Sequence, residues 1–356
     1  MASRYQAFPG EARFVQGSLG DPGLAIASPR ADMYAFWGSP VLVAALLLAV
    51  TGLVARLPGS LQGPAMIGLF AAANIVTFAH LIAVVPRAYF NRDVRRAHFN
   101  RVMIVPVVLL AALLASPPLL VCAVVVAFFW DVHHSAMQTF GLSRIYDLKA
   151  GNDSHELRRT DLRLNWALYV GPIAAGASLA AHVGKLGLLG ELHWTALATA
   201  PGIILGHSSE IRLLALAAWV LFVGWAAHDY HRAIRGGYRI PAPKLALLAS
   251  TGLTSILMWG FAPPLIAFAA VNLFHTVQYF ALVWLKEGGR MREMIGAAAP
   301  ASPRLAFGVF FGLCLLFGAA YFLVQNDSLL VAPFIVCSLM HFWFDSFIWS
   351  VRKKQV

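Results

Sequence analysis

The sequence predicts an all-α fold, a polytopic integral membrane helical bundle of about ten transmembrane helices. Three observations predict it. Of 356 residues, 59% are hydrophobic and only 12% charged, a balance outside the range of water-soluble domains. Apolar stretches of roughly 17 to 25 residues, long enough at about 1.5 Å per residue to cross a hydrocarbon core of about 30 Å, recur along nearly the whole chain. Lys and Arg, finally, collect in alternate loops.

Taken in order, residues 1–36 are mixed polar, with Gly20, Pro22 and Pro29 and no short apolar core, and read as a cytoplasmic tail and not as a cleaved signal. The expected spans are 37–56, 65–86, 101–115, 118–143, 163–183, 213–231, 244–261, 264–285, 304–324 and 329–351. Tight breakers with little charge separate several pairs: Pro58-Gly59 through Gly63-Pro64, Ser116-Pro117-Pro118, Ala262-Pro263-Pro264 and Asn326-Asp327-Ser328. The opposite loops are long and basic, with Arg87, Arg92, Arg95, Arg96 and Arg101, then Arg144 to Arg163, Arg232 to Lys244, and Lys286 to Arg304. All but three of the 27 Lys and Arg, namely Arg56, Lys185 and Arg212, fall on that face. The positive-inside rule then puts both termini, including a short tail at 352–356, in the cytoplasm of a plasma-membrane or inner-membrane protein.

This topology, with attraction to anionic membrane lipids, accounts for the net charge of +11 without a nucleic-acid partner. Cys122, Cys314 and Cys337 lie singly in apolar segments with no CxxC pair and read as packing residues. There is no Gly-rich nucleotide loop, GxSxG elbow or CxxCH sequence, which argues against nucleotide-driven transport, serine hydrolysis and covalent haem.

Five spans each carry a histidine toward the basic end: His80, His134, His228, His275 and His341. All five spans run in the same direction. Ionisable groups inside a bilayer are costly and usually mark a site or pathway. His134 lies ten residues before Arg144, His275 eleven before Lys286 and His341 eleven before Arg352, so these three share a level roughly 15 to 17 Å inside the first cytoplasmic cation. His80 and His228 sit nearer the cytoplasm.

Three of these helices share a pattern: His134 with Gln138 and Phe140, His275 with Gln278 and Phe280, and His341 with Asp345 and Phe347. A spacing of three or four places each imidazole and its polar partner on one helix face. The short likeness suggests repeated helical hairpins. Asp131 and Asn272, three residues before His134 and His275, extend two of the faces.

Imidazole nitrogen binds iron, copper, zinc or manganese, and a carboxylate favours the harder iron or manganese. The expected ligands are His80, His134, His228, His275 and His341 with Asp345. His133, beside His134, and His231, which completes an HxxH pair with His228, are further metal candidates. Gln138, Gln278 and Asp131 are expected to orient the ligands. His98, His155, His182, His193 and His207 lie in loops or at span ends and read as surface or structural groups.

The function expected is a membrane metalloenzyme holding one or two non-haem irons near the cytoplasmic side, oxidising a hydrophobic or lipid substrate by hydroxylation, desaturation or oxidative cleavage. A cytoplasmic electron donor would serve if the reaction needs one. Two other readings stand beside it. Paired histidines suit a haem-binding electron carrier, and intramembrane histidines suit a transporter or proton relay. Against transport, the outer halves at 119–129, 214–224, 265–271 and 329–336 carry essentially no polar side chain.

In kind, the chain resembles the histidine-rich integral-membrane oxygenases, desaturases and hydroxylases that act on lipids at cytoplasm-facing iron. The likeness is of residue type and not of motif, because His133-His134 lacks the upstream half of an HxxHH box and no HxxxH box is present. Polytopic bacterial carotenoid-cleaving dioxygenases, which gather histidines from several spans around iron, are a second partial likeness.

Overall fold

A computed structural model describes residues 14–296, 299–327 and 329–349. Residues 1–13 of the expected N-terminal tail, the expected C-terminal tail, Ser328 of the last breaker, and the final two residues of the tenth expected span lie outside the described residues.

Among the described residues the fold is almost entirely helical. The helices are α1 Pro29–Asp32, α2 Ser39–Val54, α3 Gly59–Ile82, α4 Arg92–Ala97, α5 Val105–Ala115, α6 Pro117–Lys149 and α7 Arg158–Ala175. They continue as α8 Leu179–Gly184, α9 Thr195–Gly206, α10 Ser208–Arg235, α11 Ala242–Phe261, α12 Pro264–Ile295, α13 Pro303–Val324 and α14 Ala332–Ile348. One departure is a two-residue parallel pairing, Val15 with Ile240 and Gln16 with Pro241, which ties the N-terminal segment to the α10–α11 loop.

The breakers act as helix starts. Ser116 accepts a hydrogen bond from the Leu119 N–H and Ser302 one from Leu305, each with proline at the first helical position, where the missing N–H costs nothing. Helix α12 also begins with a proline, Pro264, but follows Pro263 and has no side-chain cap.

Six helices are long and apolar enough to cross a membrane, and eight if two bent pairs each count as one span. The expectation of about ten is therefore not matched. All ten expected segments contain helix, but 37–56 belongs to a pair bent by 61° and 163–183 to one bent by 91°. The second bend follows from Pro172 inside α7 and from Gly176, after which the Ala177 and Ser178 N–H groups leave the helix to donate to the carbonyls of Gly260 and Trp259. The third expected span is the short apolar helix Asn100–Ala115, at nearly the expected bounds, and the tenth shortens to Ala332–Ile348, covering about 25 Å at 1.5 Å per residue. An apolar helix that the sequence reading did not separate from its loop, α9, lies between the two halves of the chain.

Helix α12 is the central post. It packs against α2, α3, α11, α13 and α6, and its inward residues Asn272, His275, Gln278 and Tyr279 are all buried. Helix α14 rests on α6, α5 and α3. A buried ion pair, Arg87 Nη1 donating to Glu287 Oε1 at 2.7 Å, ties the chain just beyond α3 to the end of α12. Its partner Asn91 donates to the same oxygen at 3.3 Å.

The α3–α13 contact is set by Gly318, where a β-carbon would stand 2.0 Å from the carbonyl oxygen of Ile75. Small residues let membrane helices approach to backbone contact. Gly318→Ala should therefore push α13 off α3 and cost about 1–3 kcal/mol, read as a lower thermal midpoint in detergent. An unchanged midpoint would show that the contact is not tight.

Candidate metal centre

Four of the expected histidines meet at one point. His80 on α3, His134 on α6, His275 on α12 and His341 on α14 are all buried, and each offers a ring nitrogen lying within 4.8 Å of the others. Neighbouring rings stand 4.8 to 5.0 Å apart, centroid to centroid, and nearly edge to face. Each helix contributes one imidazole to the centre, with a further polar side chain three or four residues away on the same face.

The ring nitrogens show what the group lacks. His80 Nδ1 donates to the Thr77 carbonyl, which can only accept, so this nitrogen carries the proton and Nε2 bears the lone pair. Thr276 Oγ1 lies 3.2 Å from the same Nδ1. Among the described residues His80 Nε2, both nitrogens of His275, and His341 Nδ1 are buried without a hydrogen-bond partner. His134 Nε2 and His341 Nε2 face one another at 3.1 Å. Unpaired buried polar atoms cost roughly 1–3 kcal/mol each, and four in one place call for a ligand.

A metal ion fits this spacing. Imidazole nitrogens bind transition ions at roughly 2.0–2.1 Å, which puts two ligands about 3.0 Å apart at a right angle and about 4.2 Å apart across the ion. The His134–His341 distance matches the first value. The widest separation exceeds the second by an amount that a shift of a few tenths of an ångström at each ring would close.

Asp345, one turn beyond His341, lies at the edge of this group. Its Oδ2 is 3.8 Å from His134 Nε2, while Oδ1 accepts from the Tyr279 hydroxyl and the Trp349 indole N–H, both at 2.9 Å. It stands as a carboxyl neighbour of the four imidazoles, held by two donors. Gln138 and Gln278 work at longer range than expected. Gln138 Nε2 donates to the His275 carbonyl at 3.1 Å and to Gln278 Oε1 at 2.9 Å, and Gln278 Nε2 donates to the Phe36 carbonyl at 2.9 Å. They brace the α12 backbone at His275 against α6 and do not hold a ring nitrogen. Asp131 is hydrogen-bonded to Asn272 and faces a cavity beside the centre.

The remaining candidates are not brought to the group. His133 turns aside toward α7, where its Nδ1 accepts from the Trp166 indole at 2.7 Å. His228 and His231 are exposed on α10, a helix packed mainly on α7. They lie on the outer side of the bundle, so the HxxH spacing there serves no common centre with the other four. Of the histidines set aside, His182 is buried, its Nδ1 2.9 Å from the Ser178 carbonyl and its ring stacked on Phe268.

Two contacts escaped the sequence reading. Tyr279 packs its ring 4.5 Å from that of His341 and 6.5 Å from that of His275. It lies four residues after His275, the same helical spacing that pointed to Gln138. Near the basic loops, Arg144 and Lys244 are buried with Asp147 and Asp161 in one network. Arg144 Nη1 donates to Asp147 and Asp161 at 2.6 Å each, and Lys244 Nζ to the same two carboxylates at 2.7 and 2.8 Å. Tyr238, in the α10–α11 loop, donates to Asp147 Oδ1 at 2.6 Å. Burial, then the Asp147 charge, push its hydroxyl above the usual phenol range.

Two cavities adjoin the centre. One of about 630 Å³ reaches it at His134, Tyr279 and Asp345 and extends to Ser154 and Arg158 of the α6–α7 loop. The other, of about 410 Å³, reaches it at His80 and extends toward Val124, Lys185 and Leu265. Phe342 lines both. Both fall in the size range of small-molecule sites.

Fold and site together define a class: a helical membrane protein with a buried four-imidazole group between two cavities. No family model, curated protein or solved structure matches the chain, so the chemistry of the site is argued from its own residues.

Proposed function

We propose that the chain is an integral membrane metalloenzyme that holds a non-haem iron at His80, His134, His275 and His341 and oxidises a hydrophobic or lipid substrate. Hydroxylation, desaturation and oxidative cleavage are the reactions in this class. The observation that carries the reading is the convergence of buried imidazoles from four helices at ion-binding distance, with ring nitrogens unpaired on His80, His275 and His341. Satisfying them with one divalent ion removes several orphaned polar atoms at once. Iron bound there would supply one-electron and dioxygen chemistry.

The protein's own residues have separable tasks in this reading. The four imidazoles fix the ion, and the Gln138–Gln278 pair stiffens the backbone carrying His275. The Asp345 carboxyl, 3.8 Å from His134, would supply negative charge once a cation is bound beside it. Aromatic and aliphatic residues such as Phe78, Phe268 and Phe342 on the cavity walls would hold a hydrocarbon substrate beside the centre. Substrate would come laterally from lipid, and any electrons from a donor on the side of the basic loops, which the positive-inside rule makes cytoplasmic.

The ring arrangement favours this over haem. Four imidazoles whose centroids lie 4.8 to 5.0 Å apart surround one point from several directions and occupy the plane that a porphyrin would need.

Metal analysis with an absorption spectrum of the purified full chain tests the proposal. The expected result is about one iron per chain with no Soret band, since four imidazoles around one point make a single site. A Soret band would transfer the site to haem, and a chain that retains no transition metal would return the histidines to a structural or proton-carrying role.

A further inference from the structure

The four histidines share a feature beyond their own convergence. Each is preceded, three residues earlier on its helix, by an oxygen-bearing side chain: Thr77 before His80, Asp131 before His134, Asn272 before His275 and Ser338 before His341. A spacing of three returns to the same helix face one turn away. All four of these residues line the 410 Å³ cavity, and His80 lines it with them. A second polar ring therefore lies beside the imidazole ring, contributed by the same four helices and facing a space.

The hydrogen bonds give this ring a direction. Asn272 Nδ2 donates to the Phe268 carbonyl at 3.1 Å and the Asn272 amide also bonds Asp131, so its oxygen is what remains for the cavity. Ser338 Oγ donates to the Phe334 carbonyl at 2.9 Å, leaving its lone pairs. Asn74, one turn further along α3 from Thr77, also lines the cavity, and its Oδ1 is buried without a partner. Asp131 accepts in either charge state. The ring thus offers several acceptors, together with donors in the Asn74 amide and the Thr77 hydroxyl, a mixed pattern that a hydroxyl, itself donor and acceptor, can satisfy. Polar groups between membrane helices often serve only to bond neighbouring helices, but that role leaves neither an orphaned oxygen nor a cavity in front of it.

Beyond the ring the wall is apolar and largely aromatic, with Phe70, Phe78, Val124, Phe268, Ile335 and Phe342. We propose that this cavity binds a long-chain alcohol, its hydroxyl donated to the oxygen ring formed by Asn74, Thr77, Asp131, Asn272 and Ser338 and its hydrocarbon chain held by the aromatic wall. An ammonium group would also donate, yet its dehydration in this apolar space costs far more than that of a hydroxyl. A carboxylate would have to be dehydrated in the same apolar space, beside the Asp131 carboxyl, at a cost a hydroxyl does not carry. The binding itself does not depend on a metal; that the bound alcohol is a substrate rests on the iron reading above, since His80 places its hydroxyl end beside the centre.

The test is displacement of diphenylhexatriene from the purified full chain in detergent by dodecanol, dodecane or laurate, with metal content measured on the same samples. Dodecanol should compete at a concentration about tenfold lower than dodecane, equivalent to about 1.4 kcal/mol, and laurate should compete no better than dodecane. Asn74→Leu, which removes the orphaned acceptor and adds apolar bulk, should erase most of that preference without changing metal content, and Ser338→Ala should reduce it. Equal competition by alcohol and alkane, or a preference intact in both variants, overturns the proposal. Laurate competing best also overturns it, by transferring head-group recognition to Lys185 at the cavity's far end. A chain that prefers dodecanol yet carries no metal sustains this inference and defeats the iron reading, so the two failures are distinct.

Discussion

His275→Ala should leave the purified chain with less than about a tenth of the wild-type iron, while His228→Ala and His231→Ala retain it in full. The contrast is large because the two sets occupy different worlds. Both nitrogens of His275 are buried and unpartnered, on the central helix α12, whereas His228 and His231 are exposed on α10. Outer groups that merely orient a metal ligand typically change affinity by about 10–100-fold, so loss of a ligand nitrogen should do at least as much. His134→Ala and His341→Ala belong with His275→Ala, since their Nε2 atoms meet at 3.1 Å. His133→Ala belongs with the controls, because its Nδ1 is committed to Trp166. Elemental analysis of the six variants, each checked for intact helicity, decides the matter. Iron retained in all three centre variants, or lost equally from the α10 variants, would remove the four-imidazole site.

The histidines of the centre were legible because each interrupts an apolar stretch at a depth that can be counted from the nearest loop cation. Depth, though, is only one of two coordinates on a helix. The second, direction around the axis, is written in the contrast between apolar and polar faces, and α10 has no such contrast across residues 213–227. Almost none of its apolar stretch is buried, so lipid replaces protein as the neighbour, and the sequence cannot say that His228 points outward. His80 shows the converse. Its depth, counted from Arg87, differed from the other three, yet Arg87 is itself buried against Glu287 and so does not mark the membrane surface.

The same limit applies to span number. Hydropathy registers apolar length, and it registered all ten apolar segments. It does not register a bend at Gly38 or Gly176, where backbone hydrogen bonding is rerouted, nor the shortness of α14. The oxygen ring beside the centre was half visible: Asp131 and Asn272 stand out as polar residues in apolar runs, while Thr77 and Ser338 are too common in membrane helices to be noticed without the cavity that joins them.

The network of Arg144, Asp147, Asp161 and Lys244 was not legible at all, because basic residues flanking a span already have a sufficient explanation in topology. Its energetics give the second large effect. Asp161→Asn should lower the stability of the solubilised chain by about 3–5 kcal/mol, the usual cost of breaking a buried ion pair from one side. The reason is charge balance: two cations and two carboxylates are buried together, Lys244 and both aspartates fully and Arg144 nearly so. Removing one carboxylate leaves Arg144 and Lys244 facing Asp147 alone. Asp161 also accepts from Tyr230 on α10, so the same change loosens the join between α7 and α10. Adding Lys244→Met restores one cation to one carboxylate. The double variant should therefore be more stable than Asp161→Asn by about 1–3 kcal/mol, a coupling that only shared electrostatics would produce. Thermal unfolding of the four chains in detergent, followed by circular dichroism, measures it. Additive losses in the double variant would mean that the four groups are independent surface charges drawn inward, and that α6, α7 and α11 are held together by apolar packing alone.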